Sequence, residues 1–424
     1  MPPSRIALIG LDGMPQRLIL DLAESGTMPN TKALIDQGTF RQMASSVPEI
    51  SSVAWSSIIT GANPAEHGIY GFTDLAAGAY RTVYPNFAAL KRRPFWEEAA
   101  FGRCVILNVP STYPARDMNG VLVAGFVALN LEKATFPPAL VPKLKELDYR
   151  TDVDFNKASQ SISYFLNDLE RTLEARIATY RHLWAHERWD TFMLVFTGTD
   201  RLAHFLWDAY EQETHPHHAA FLEHLARVDA VIGEIADRLR PGDRLIMLSD
   251  HGFERLDKEL YVNWPLRQRG LLAFQEGGPA RLTNVAQETK AFALDPGRIY
   301  LNMQDKYPRG SVSPQDRAYV LEDLEAIYRS LEVEGQPAIK RVYRKEEIYA
   351  GPYLDQAPDL VLLANAGYNL RATIDPGQLW DTGIRTGKHS PDAFLLAAGD
   401  VEPAAVPLEP SVEDVVGIMK YGNE

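Results

Sequence analysis

Short apolar runs alternate along this chain with longer stretches whose apolar residues recur every three or four positions. Arg5–Leu11, Gly102–Val109, Val121–Phe126, Thr191–Phe196 and Arg244–Ser249 are runs of the first kind. Nearly unbroken and rich in β-branched residues, they read as strands buried on both faces. Between them lie the helical stretches. Ile162, Phe165, Leu166, Leu169, Leu173, Ile177, Tyr180 and Trp184 mark one long amphipathic helix, and Phe221–Leu239 another. Shorter helices are expected at Arg17–Glu24, from Met28 to Gly38, and from Trp55 to Ile59, the last stopped by Gly61 and Pro64. Ser313 followed by Pro314 opens a further helix to about Leu331, and Ser411 caps a short terminal one. Arg298–Asn302, Asp359–Leu363 and Ala393–Gly399 are the remaining strands. Strands alternating with long helices make this an α/β chain with a mostly parallel central sheet.

Composition narrows the class. The 424 residues are enough for one large domain or two, and the apolar and charged fractions are those of a globular protein. No repeat, low-complexity tract or linker breaks the chain, so 1–424 is read as one catalytic domain. Residues 254–312, rich in aromatics, Gly and Pro, stand out as an insertion. A net charge of −13 argues against a nucleic-acid polymer as partner. Cys104 is the sole cysteine, so no intrachain disulfide forms. There is no transmembrane run and no recognisable signal peptide, and a cytoplasmic location is the expectation.

The chemistry is concentrated at strand ends. In an open parallel sheet ligands bind beyond the carboxyl ends of the strands. Three of these runs end in metal-type side chains: Asp12, then Asp200 with His204, then Asp250 with His251. One such carboxylate is ordinarily a turn former or helix cap. Three, with histidine near two of them, point to divalent cations. Asp200 and His204 are four apart and share a helix face. His389 lies in a Gly-flanked loop before the last strand. His215, His217 and His218 sit in a polar loop and are read as solvated; His67 is read as structural. Ser51 and Ser52 open the small-residue stretch before Thr60-Gly61 and are equivalent candidates for a nucleophile. No GxSxG elbow is present, so activation would come from a metal held by Asp12, Asp250 and His251. A second ion on Asp200, His204 and His389 would complete a two-ion clamp for phosphoryl transfer. Mixed imidazole and carboxylate ligands favour zinc, with manganese the alternative.

The motifs GLDGM (Gly10–Met14), the block from Ser51 to Phe72 with TGANPAEHG, NVPSTYP (Asn108–Pro114), TGTDRLAH (Thr197–His204), SDHGF (Ser249–Phe253) and GKH (Gly387–His389) occur in that order across nearly the whole chain. Together they resemble the alkaline phosphatase superfamily and, within it, the type I phosphodiesterase/nucleotide pyrophosphatase branch. The resemblance implies a three-layer sandwich with a cap formed by insertions, such as 254–312. It implies that Asp12, Ser51, Asp250 and His251 hold one metal and that Asp200, His204 and His389 hold the other. The family spacing selects Ser51 over Ser52 as the nucleophile. Nucleotide pyrophosphatases carry an Asn shortly after the His-Gly, where this chain has Phe72; Arg201, Asn108 and Lys388 are the candidates to meet the phosphate oxygen instead. The expected activity is hydrolysis of a small phosphorylated substrate, a phosphodiester first, through a phosphoseryl intermediate. The alternatives are a phosphomutase, a phosphomonoesterase or a phosphonate hydrolase using the same groups.

Overall fold

In the computed structural model, which describes residues 4–421, the chain clusters into two compact units. The first comprises Met1–Ala62, Asn86–Glu254 and Ile384–Glu424; the second comprises Asn63–Pro85 and Arg255–Gly383. The block from Ser51 to Phe72 is thus divided, Ser51 falling in the first unit and Phe72 in the second. Of the stretch 254–312, all but Glu254 belongs to the second.

The first unit is built on an eight-stranded sheet. Its strands are β1 (Ile6–Leu11), β2 (Thr39–Ala44), β3 (Cys104–Leu107), β4 (Gly120–Val123), β5 (Thr135–Phe136), β6 (Thr191–Phe196), β7 (Arg244–Leu248) and β8 (Asp392–Gly399). They lie in the order β2-β8-β7-β1-β6-β3-β4-β5. The central run β7-β1-β6-β3-β4 is parallel throughout, and antiparallel pairs occur only towards the edges. The mostly parallel sheet inferred from the buried runs is therefore present. What periodicity did not reveal is β2, whose TFRQMA mixes burial states because it is an edge strand beside β8.

Alternation along β1 explains the layers. Ala7, Ile9 and Leu11 join a large apolar core with residues of α1 (Gln16–Glu24), α4 (Ile162–His186), α5 (Gly198–Glu211) and α6 (His218–Arg238), and Leu34 and Ile35 of α2 (Pro29–Gln37) pack against it. Gly10 points the other way, against Trp55 of α3 (Ser51–Thr60): a Cβ there would lie 2.4 Å from the indole. Helices cover both faces, which is why β1 carries no exposed residue. Two helix boundaries differ from the sequence reading. Helix α3 begins at Ser51 rather than Trp55, because Ser51 and Ser52, poor interior formers, are accommodated in its first turn. The helix expected from Pro314 starts at Arg317, since Ser313 bonds the Asp316 backbone and holds a turn there.

The second unit has its own core. An antiparallel sheet runs Ala291–Leu294, Arg298–Leu301, Leu360–Ala364, Ile339–Arg344 in spatial order. Leu321, Leu324 and Tyr328 of the helix Arg317–Arg329 share its core with Phe292 and Tyr300. At its start, Asn63 and Glu66 form a capping box around Pro64–His67, which accounts for the NPAEHG part of the motif as a turn device.

One buried group sets a pH dependence. His224 of α6 is buried and its Nδ1 has no hydrogen-bond partner among the described residues. Burial pulls its pKa from 6.5 down to about 4. The unfolded chain then binds the extra proton between these values, so stability present above pH 6.5 is lost as pH falls towards 4. The loss should reach about 3 kcal/mol. Denaturant titrations at pH 7 and pH 4 should show this drop in the native chain and a drop smaller by that amount in His224→Leu.

Candidate active site

Because β7, β1, β6 and β3 are parallel neighbours, their carboxyl ends open on one edge of the sheet. Continued past the strand ends, the registers Leu11↔Phe196 and Gly10↔Leu248 bring Asp12, Thr197 and Asp250 to the same level. Asp200 lies in the first turn of α5, and Asp250 and His251 come one residue after β7, beyond Ser249. His389 lies on the short strand Gly387–Ser390 before β8. Ser51 is the first residue of α3, at the positive end of its dipole. All of these belong to the first unit.

The six potential metal-binding side chains are each pinned on one atom and open on another. Asp12 accepts from Trp55 Nε1 at 3.2 Å through Oδ2, and Asp250 accepts from the Gly13 amide at 3.2 Å through Oδ1. The Asp200 Oδ2 is held by the Arg201 guanidinium. The opposite oxygens, Asp12 Oδ1, Asp200 Oδ1 and Asp250 Oδ2, are buried without a hydrogen-bond partner among the described residues. The histidines repeat the arrangement. Nδ1 of His204, His251 and His389 faces the carbonyls of Gly387 (3.3 Å), Gly252 (3.0 Å) and Glu49 (3.0 Å). A carbonyl only accepts, so Nδ1 carries the proton and each Nε2 keeps its lone pair.

These free atoms converge. His389 Nε2 is 3.1 Å from His204 Nε2 and 3.2 Å from Asp200 Oδ1, which is 3.5 Å from His204 Nε2. His251 Nε2 is 3.4 Å from Asp250 Oδ2, 3.6 Å from Asp12 Oδ1 and 4.0 Å from Asp200 Oδ1. Ser51 Oγ lies 3.1 Å from His251 Nε2. Ser52, by contrast, has a buried hydroxyl with no partner among the described residues, as expected of a residue rotated by about 100° around the helix. The geometry thus distinguishes the two serines by contact.

Electrostatics agree with a site shaped for cations. Burial, then the charges of Asp250 and Asp200, raise the Asp12 carboxyl well above its ordinary range. Burial, with Asp200 adding to it, pushes Asp250 up to about 7. Burial also works against the Asp200 anion, but His204, Arg201 and His389 together hold it well below the usual carboxylate value. All three imidazoles are held below their ordinary value, burial being the main cause. Neutral imidazoles and crowded carboxylates with orphaned oxygens are what divalent ions require and what protons alone satisfy poorly. The residues present therefore fit a metal centre. Asp12, Asp250 and His251 form one cluster able to hold an ion, and Asp200 lies with His251 and His389 in a second; His204 joins the latter by the distances above.

The three residues expected to meet a phosphate oxygen are otherwise engaged. Arg201 makes a bidentate pair with Asp152, its Nη2 reaching Oδ2 at 2.7 Å, and its guanidinium lies 4.4 Å from the ring centres of both Phe126 and Phe155. Asn108, buried and left-handed at φ 64°, donates to Val195 O and Thr197 Oγ1 and accepts from the Tyr149 hydroxyl. Lys388 pairs with Glu254 at 2.7 Å. Sequence reasoning missed Trp55 and Asp152, the residues that orient Asp12 and Arg201. Trp55 was traceable in principle, standing four residues after Ser51 on one helix face. Asp152 belongs to a polar loop with no motif around it and carried no signal.

The family description of type I phosphodiesterase / nucleotide pyrophosphatase matches residues 6–392. The chain belongs to this family. Type I phosphodiesterases and nucleotide pyrophosphatases are metal-dependent hydrolases of phosphoester bonds, and membership makes this chain an enzyme of that kind. Among solved structures, phosphonoacetate hydrolase from Sinorhizobium meliloti 1021 with phosphonoformate aligns over 100% of this chain and 96% of its own, at 16% identity and TM-score 0.65. Murine ectonucleotide pyrophosphatase / phosphodiesterase 5 aligns over 99% and 95%, at 13% identity and TM-score 0.58. At such identities the likeness carries the fold alone, and it agrees with the mixed α/β architecture described above. No curated protein gives a significant sequence match. Among the described residues no helix of this phosphodiesterase relative is long and apolar enough to cross a membrane.

Proposed function

We propose that this chain is a phosphodiesterase that holds two divalent cations and works through a phosphoseryl intermediate on Ser51. One observation carries the reading: three orphaned carboxylate oxygens and three Nε2 lone pairs converge beside the Ser51 hydroxyl. In this reading Asp12, Asp250, His251 and Ser51 hold one ion, and Asp200, His204 and His389 hold the other. Imidazole with carboxylate favours zinc over manganese. When bound, the ions lower the pKa of the serine hydroxyl and offset the charge that develops on phosphorus oxygens.

The chain's own groups do the rest. Ser51 Oγ forms a bond to phosphorus as the bond to the leaving alcohol's oxygen breaks, and the serine proton passes through solvent to that oxygen. Water then bonds to phosphorus, the Ser51 ester breaks, a phosphomonoester leaves, and a proton returns to Ser51. His251 has a single Nε2 lone pair, spent here as a ligand, so it is not the general base. Trp55 and the Gly13 amide keep Asp12 and Asp250 turned inward, and Arg201 does this for Asp200. Arg201 is thus better placed as a positioning residue than as a phosphate clamp.

The test is a substrate panel on the full chain loaded with zinc or manganese. Bis-p-nitrophenyl phosphate should be hydrolysed at least about tenfold faster than p-nitrophenyl phosphate or a phenylphosphonate ester. A monoester or phosphonate preference would overturn the diesterase assignment.

A further inference from the structure

At the amino ends of the same strands lies a second concave site that the chemistry above does not use. It is a cavity of about 780 Å³ formed in the first unit by segments preceding β1, β3, β6 and β7. Six residues of β1 at about 3.3 Å each place it roughly 20 Å from the strand ends that bear Asp12 and Asp250.

Its wall is aromatic and its rim is cationic. The rings of Trp184 and Trp189 stand 4.4 Å apart, Trp189 buried and Trp184 half-buried. Arg5 lies over Trp189 at 4.3 Å and is paired with Asp243 at 2.5 Å. Arg103 is paired with Glu187 at 2.9 Å, and the Asp190 carboxylate accepts the Arg103 amide at 2.7 Å. Arg188 and Arg240 also line the cavity, are exposed, and have guanidinium groups without a carboxylate partner among the described residues. Two uncompensated guanidinium groups beside an indole wall are unusual on a chain of net charge −13. A volume near 780 Å³ is that of a small-molecule site, and guanidinium groups pair with phosphate through two parallel hydrogen bonds.

We propose that this cavity binds a nucleoside phosphate, with the phosphate on Arg188 and Arg240 and the base against the exposed part of Trp184. The proposal is independent of the diesterase reading, because it needs neither metals nor Ser51. Adenosine 5′-monophosphate titrated into the chelator-treated full chain, followed by calorimetry and tryptophan fluorescence, tests it. One saturable site is expected, weakened at least tenfold in the doubly substituted Arg188→Glu/Arg240→Glu chain and changed less than twofold by Asp200→Asn. Unaltered far-UV circular dichroism of the double variant keeps a folding defect from being read as lost binding. Three results would overturn the proposal: no saturable binding, binding that survives the double substitution, or inorganic phosphate binding as tightly as the nucleotide.

Discussion

Ser51→Ala is expected to lower kcat for bis-p-nitrophenyl phosphate by at least about a thousandfold, while the parallel Ser52→Ala stays within a few-fold of the native rate. A thousandfold is about 4 kcal/mol of transition-state stabilisation, the scale of losing a covalent step rather than a binding contact. The contrast between neighbours makes the experiment sharp. Both serines are buried in the first turn of one helix, and only Ser51 Oγ reaches His251 Nε2. A general weakening of α3 would lower both variants together. Rapid quench with a phosphorus-labelled diester should also trap a serine-linked phosphoryl group in the native chain and none in Ser51→Ala. If Ser51→Ala kept its rate with metal bound, the nucleophile would have to be sought elsewhere.

Removing metal should have the second large effect, and on two readouts. Chelation should take activity to background and lower Tm, and zinc should restore both. The stability gain follows from mass action: an ion held a hundredfold above its dissociation constant adds about 2.7 kcal/mol. The chelated chain is left with Asp12 and Asp250 driven towards the protonated form by burial and by each other's neighbours. In Asp250→Asn that repulsion is relieved, so its chelated form should melt at or above the chelated native chain, yet gain little on adding zinc. Differential scanning calorimetry of the four states provides the check. A large zinc-induced rise in Tm for Asp250→Asn would remove Asp250 from the ligand set.

Much of this arrangement was legible in residues alone, and the reasons are physical. Buried parallel strands need apolar side chains on both faces, so β1, β3, β6 and β7 appear as continuous runs. A parallel sheet sends all its carboxyl ends to one edge, so acids at the ends of such runs are neighbours before any coordinates exist. The edge strand β2 and the start of α3 were not legible, because half-burial blurs the pattern in one and two serines mask the helix in the other.

Sequence by itself determined the α/β class and the family motifs, and it nominated Asp12, Ser51, Asp200, His204, Asp250, His251 and His389 as candidates, because each stands at a strand end or in a motif. Tertiary structure decided which atom of each side chain is free. Trp55, the Gly13 amide and Arg201 claim one oxygen of each carboxylate, and the carbonyls of Glu49, Gly252 and Gly387 claim Nδ1 of each imidazole. It also showed that Arg201, Asn108 and Lys388 are bound to Asp152, Tyr149 and Glu254. Apart from Arg201 with Asp200 and His251 with Gly252, which are chain neighbours, these pairings join residues far apart along the chain, and no local spacing encodes them. Hydrogen-bond direction is a property of packed atoms, and packing exists only once the sheet has formed.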